Sequence, residues 1–308
     1  MRIAIALAAL LLCPPVCAER VILYAQGELQ REIEWQAERF GRVELPPNAT
    51  LITYPFTLKR INNIEVVGNR TTITTEKHSA PWLMRVAQCS RLRFRGVTFS
   101  APCDLVAFHD WPGRATYKNT FEHCAFRGRQ KQSDGVVFGR RAGEATCADT
   151  HFTECEFRDL RSAVVQNNQQ SVNVHAANCF FYHCDRAWLQ RAGGLSVMHL
   201  CYFQRVRTLF AAEGRYAGGS SNQPSITLRD CKCDDDGGPS RILDLSRLSG
   251  GRQFVAVVDN LKCNVPNNSG EGFDLFRVSP VHRHTSIDAA RLTKTGRANV
   301  APVVWEGN

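Results

Sequence analysis

From about residue 90 onward the apolar residues fall into three recurring columns, the second three residues after the first and the third two residues later. They read Phe94, Val97, Phe99; Phe121, Cys124, Phe126; Phe152, Cys155, Phe157; and Ala176, Cys179, Phe181. They continue as Met198, Cys201, Phe203; Leu228, Cys231, Cys233; and Val258, Leu261, Cys263. The third column advances by 27, 31, 24, 22, 30 and 30 residues. A helical repeat would keep a period of about 3.6 inside each unit, whereas these units are short and rich in β-formers. They predict strands.

A second series of apolar runs lies between the columns: Trp82–Val86, Leu105–Phe108, Gly135–Phe138, Ala163–Val165, Ala187–Leu189, Thr208–Ala211, Ile242–Leu245 and Asp274–Val278. Each unit therefore carries at least two short strands joined by turns of variable length. Such units fit the coils of a parallel β-solenoid, stacked about 4.8 Å apart so that equivalent side chains form internal ladders. A two-sheet sandwich has no need of the same spacing seven times over. Ahead of the coils, Leu29, Ile33, Ala37 and Phe40 form an apolar stripe that predicts a helix over 28–40, ended by Gly41. An open solenoid end exposes strand edges and apolar side chains, so a capping helix is expected there.

After this helix come Gly41-Arg-Val-Glu-Leu-Pro-Pro-Asn-Ala-Thr50, a strand, and Ile64-Glu-Val-Val-Gly-Asn69. This order resembles the start of the pectate-lyase-like superfamily, and with the later coils the likeness spans most of residues 28–280. The resemblance implies an all-β, single-stranded right-handed parallel β-helix with an N-terminal capping helix. The expected layout is a signal peptide over 1–18, cap and first strands over 19–63, coils over 64–280 and a C-terminal tail or cap over 281–308. The superfamily holds lyases, hydrolases, epimerases and phage spikes, so fold does not assign the reaction. Calcium enters as a cofactor by resemblance only, and no cofactor or metal ligand is read from the residues themselves.

Export follows from Arg2, the apolar run Ile3–Leu12, Pro14-Pro15 and a small residue at Ala18. The run is too short to span a bilayer, so after cleavage no membrane anchor is expected and the protein is secreted or periplasmic. Of 308 residues, 44% are hydrophobic and 22% charged, which excludes a disordered chain. The formal net charge of +9 favours an acidic partner. Combined with the resemblance, that partner is an acidic polysaccharide or cell-surface glycan and not nucleic acid. Cys124, Cys155, Cys179, Cys201 and Cys231 share one column and read as buried thiols, with Cys89, Cys103, Cys147 and Cys184 the better disulfide candidates.

In the resembled family ligands bind across the sheet built from the second strand series. If Val106, Phe108, Ala187, Leu189, Leu243 and Leu245 face inward, alternation turns His109, Gln166, Trp188, Gln190 and Asp244 outward. Arg140, Arg141, Arg191, Glu213, Arg215 and Arg247 follow in the turns beyond. Trp188, Gln190, Gln166, Arg140 and Arg141 are the candidate substrate-binding residues, the indole for stacking on a sugar and the arginines for uronate carboxylates. A lyase needs a cation beside the carboxylate and a base for the α-proton, roles open to Arg191, Arg215 and His109. A hydrolase needs paired carboxylates, for which Asp244 with Glu213 is the available set. The polygalacturonase motifs Asn-Thr-Asp, Gly-His-Gly and Arg-Ile-Lys are missing, and so is a paired-aspartate calcium pattern. The reading is thus an exported glycan-binding β-helix, with a polysaccharide lyase or glycoside hydrolase as the alternative.

Overall fold

The computed structural model describes residues 20–77, 79–108, 115–139, 147–168, 170–216, 225–233, 241–251, 255–263, 276–278, 286–288 and 292–294. The chain is an all-parallel β-solenoid of about seven turns. Nine strands of the second series, from Phe56–Lys59 to Phe276–Val278, form one sheet in strict chain order. The remaining strands form a nineteen-stranded sheet that carries the three-column units. Parallel pairing already links Arg42–Glu44 to Glu65–Val67, and it continues to Ser286–Asp288 and Leu292–Lys294.

Between the sheets the core is built of ladders. Phe99, Phe126, Phe157, Phe181 and Phe203 stack at 5.4, 4.8, 5.0 and 5.1 Å between ring centroids. Phe94, Phe121 and Phe152 form a second stack at 5.1 and 5.3 Å. The expected register of Phe126 on Phe157 is the observed one. At the N-terminal end the helix Glu28–Phe40 lays Leu29, Ile33 and Ala37 into the same core, and Gly41 closes it in the left-handed conformation.

The cysteine column has a physical reason beyond apolar filling. Between the two strands of each unit the chain turns through a left-handed residue: His123, Glu154, Asn178, Leu200, Asp230 and Asn260, with φ from 51° to 54°. The next residue is cysteine from Cys124 to Cys231. Each of these five thiols lies 3.3–3.5 Å from two carbonyl oxygens, one in its own coil and one in the coil before. The S–H thus supplies a donor where the turn interrupts the strand. Cys89, Cys103, Cys147 and Cys184 are buried thiols as well, not bridged cysteines, which corrects the expectation that they form disulfides. They point into the core, and burial pushes the Cys184 thiol up to about 12. Cys233 is disulfide-bonded, and Cys263 is its register neighbour.

Leu200 is the odd member of the turn ladder, a half-exposed leucine in a conformation that costs an L-residue about 1–2 kcal/mol. Asparagine tolerates that conformation and occupies it at Asn178 and Asn260, where the Asn260 amide donates to Asp230 at 2.6 Å. Leu200→Asn is expected to raise stability by about 1 kcal/mol, a gain of roughly 2–4 °C in melting temperature. A thermal melt that shifts downward would contradict the strain at this turn.

Candidate functional site

Along the nine-stranded sheet, alternation sends one column of side chains outward: Ala107, Val137, Val165, Leu189, Ala211 and Asp244 in register. The column is apolar until Asp244, and Val165, Leu189 and Ala211 pack into a small cluster of their own. An arginine stands at the start of four successive strands: Arg161, Arg186, Arg207 and Arg241. Backbone hydrogen bonds tie them across the coils, from Arg186 N to Arg161 O at 3.0 Å and from Arg241 N to Arg207 O at 3.1 Å. The four are not register partners: Arg186 pairs with Ser162 and Thr208, and Thr208 with Arg241, so Arg161 and Arg207 stand one residue ahead of Arg186 and Arg241 on coils stacked about 4.8 Å apart. These arginines, with Glu213, Asp244 and Arg247, line a cleft.

Two carboxylates of the cleft, Glu213 and Asp244, are held by guanidinium groups, and a third, Asp185, lies 3.1 Å from Lys131 Nζ. Glu213, whose side chain is 16% exposed, lies 3.3 Å from Arg191 Nε, 3.3 Å from Arg247 Nη1 and 3.7 Å from Arg186 Nη2. A register shift between Ala211 and Glu213, which pair with Asp244 and Arg247, brings Arg247 to this position. Asp244 accepts from Arg241 Nη1 at 2.8 Å and from the Ser246 hydroxyl at 2.6 Å. Burial pushes the Asp244 carboxyl up, but the Ser246 bonds and the Arg241 charge outweigh it and hold the group below the usual carboxylate range. Asp244 is therefore ionised at neutral and mildly acidic pH and is a poor proton donor. Arg161 is fixed by a bidentate contact with Asp134 at 3.0 and 2.6 Å, which also raises its own proton affinity.

Two solved structures share this architecture. Alginate lyase from Paenibacillus sp. str. FPU-7 matches with a TM-score of 0.51 and 9% identity, over 88% of this chain and 99% of that one. Endo-xylogalacturonan hydrolase from Aspergillus tubingensis matches with a TM-score of 0.54 and 8% identity, over 89% of this chain and 93% of that one. The fold is the right-handed parallel β-helix. That is the fold expected from the resemblance to the pectate-lyase-like superfamily, and at these identities the likeness is one of fold. No protein-family model matches the sequence, and no curated protein matches it.

On the β-helix the expected site residues separate into groups. Asp244 and Arg191 meet around the cleft, Arg191 through its bond to Glu213. Arg215 lies in the strand Thr208–Tyr216. His109, Arg140 and Arg141 lie outside the described residues. Trp188, Gln166 and Gln190 are corrections: each is 0% exposed and faces the core. Trp188 is in register with Val164 and Phe210, and Gln190 with Gln166 and Ala212, so it is Leu189 that points outward. Alternation does not decide the facing there, because Ala187-Trp188-Leu189 is apolar on both faces. What settles it is a buried acceptor for the indole, Gln166 Oε1 at 2.8 Å, on the neighbouring coil. Arg161, Arg186, Arg207 and Arg241 are not among the expected site residues, although an arginine ahead of these four apolar runs is visible in the sequence.

Calcium does not fit this cleft. Its Glu213 and Asp244 carboxylates are engaged by arginines, and among the described residues no group of three or more His, Cys, Asp or Glu side chains could hold an ion. Nor, among the described residues, is any helix long and apolar enough to cross a membrane.

Proposed function

We propose that this protein is an exported β-helix that binds an acidic polysaccharide along the arginine-lined cleft. The cleft lining of Arg161, Arg186, Arg207 and Arg241, one arginine from each of four successive coils, carries the reading. A polyuronate repeats one carboxylate per sugar, and planar guanidinium groups match carboxylates in bidentate fashion. The fold agrees with it, since the two structures above are named for alginate and xylogalacturonan. Export rests on Arg2, Ile3–Leu12 and Ala18, and places the protein where such polymers occur.

If the bound chain is also cut, the cleft favours β-elimination over hydrolysis. Hydrolysis needs a protonated carboxylic acid beside the glycosidic oxygen. Asp244 is held ionised, and Glu213 is enclosed by three guanidinium groups. Elimination needs a cation at the uronate carboxylate and a base, and the arginines supply the first.

Binding to polygalacturonate and to alginate should weaken as salt rises. Arg186→Ala and Arg247→Ala should each lower affinity about tenfold, the value of one charge-assisted hydrogen bond. Arg93→Ala, paired with Glu122 on the other sheet, should leave it unchanged. Equal losses in all three variants, or binding indifferent to salt, would remove the cleft from the reading. Ultraviolet absorbance of an unsaturated uronate, set against new reducing ends without it, separates elimination from hydrolysis and from binding alone.

A further inference from the structure

The nineteen-stranded sheet carries a second hollow on its outer face, unrelated to the arginine cleft. It lies over the strands Cys147–Thr153, Val174–Ala177, Ser196–His199 and Ser225–Arg229. Ala177, Val197 and Thr227 leave the space, His151 with His175 forms one wall, and His199 and Arg229 also line the hollow. The two histidines are direct register partners on adjacent coils, with ring centroids 4.9 Å apart and planes tilted by 39°. Twenty-four residues separate them, so no sequence spacing announces the pair.

Their surroundings set them apart from the other described histidines. His123 is bridged to Glu154 at 3.1 Å, His183 to Asp159 at 2.6 Å and His199 to Asp230 at 3.4 Å. His151 and His175 have no carboxylate within salt-bridge distance among the described residues. Burial, then the charge of His151, lowers the proton affinity of His175 against the opposing pull of Asp149.

We propose that His151 and His175 form a two-histidine site for a late first-row divalent ion such as zinc or nickel. Neighbouring coils place the rings within reach of one ion bonded to each at about 2.0–2.1 Å. Neutral imidazole is a preferred ligand for these metals. The protein supplies two ligands, and the remaining positions open into the hollow. Such an ion could take water or an oxygen of a bound molecule there, as an open metal site does.

The test is equilibrium dialysis of the full chain, without an added histidine tag, against nickel or zinc alone. One ion per chain is expected at about pH 7.5, with loss at about pH 5.5 as protons compete for the imidazoles. His151→Gln and His175→Gln should each weaken binding by at least about tenfold, since even outer partners of metal ligands are worth that much. The double variant should bind none, and His183→Gln, outside the hollow, should bind as the parent does. The metal should also raise the melting temperature of the parent and not of the double variant. Binding that survives in the double variant, absence of binding in the parent, or an equal loss in His183→Gln overturns the site.

Discussion

Replacing Trp188 by alanine is expected to destabilise the protein by about 3–5 kcal/mol, the cost of emptying a large aromatic site in a close-packed core. The side chain is 0% exposed and is stacked in register between Val164 on one coil and Phe210 on the next. It also belongs to a buried polar network. Its indole N–H donates to Gln166 Oε1 at 2.8 Å, the Ser196 hydroxyl donates to the same oxygen at 2.6 Å, and Gln166 Nε2 donates to Ser171 O at 2.9 Å. Trp188→Phe keeps most of the volume and loses only the N–H, so it should cost about 1 kcal/mol. Urea denaturation of the two variants separates packing from hydrogen bonding. A Trp188→Ala protein that melts like its parent but no longer binds glycan would place the indole on the surface and overturn the buried assignment.

The difference between the expected and observed role of Trp188 shows which features of a β-helix are written locally. Ladder positions repeat, so Phe126 and Phe157, or Cys155 and Cys179, are visible as columns long before any coordinates. Facing is legible where a strand alternates clearly. Val106 and Phe108 are core residues, Leu243 likewise, and Asp244 lies on the outward column. It fails where three apolar residues run together, because the indole partner Gln166 is 22 residues away. Proximity across coils is harder still. Turn lengths change from coil to coil, so sequence distance does not reveal that Arg161, Arg186, Arg207 and Arg241 line one cleft. His151 and His175 are likewise joined only by the register.

Phe126→Asp is expected to abolish folding. The ring is 0% exposed, parallel to Phe99 at 5.4 Å and to Phe157 at 4.8 Å, with Phe121 and Phe152 edge-on at 5.5 and 6.0 Å. Truncation of such a ring alone costs about 3–5 kcal/mol. A carboxylate in its place meets four aromatic rings, and an unpaired charge there is worse by several kcal/mol or takes up a proton to become a buried, unsatisfied acid. Together these match the whole stability of an ordinary domain, about 5–15 kcal/mol. Position adds to the effect. In a solenoid each coil is stabilised by its neighbours, so a failed coil in the interior removes two interfaces at once. Phe126→Leu keeps an apolar side chain and should fold, with a loss below about 3 kcal/mol. Circular dichroism and solubility of the two proteins decide the matter: a folded Phe126→Asp chain with a cooperative melt near that of the parent would mean that this ladder does not hold the coils together.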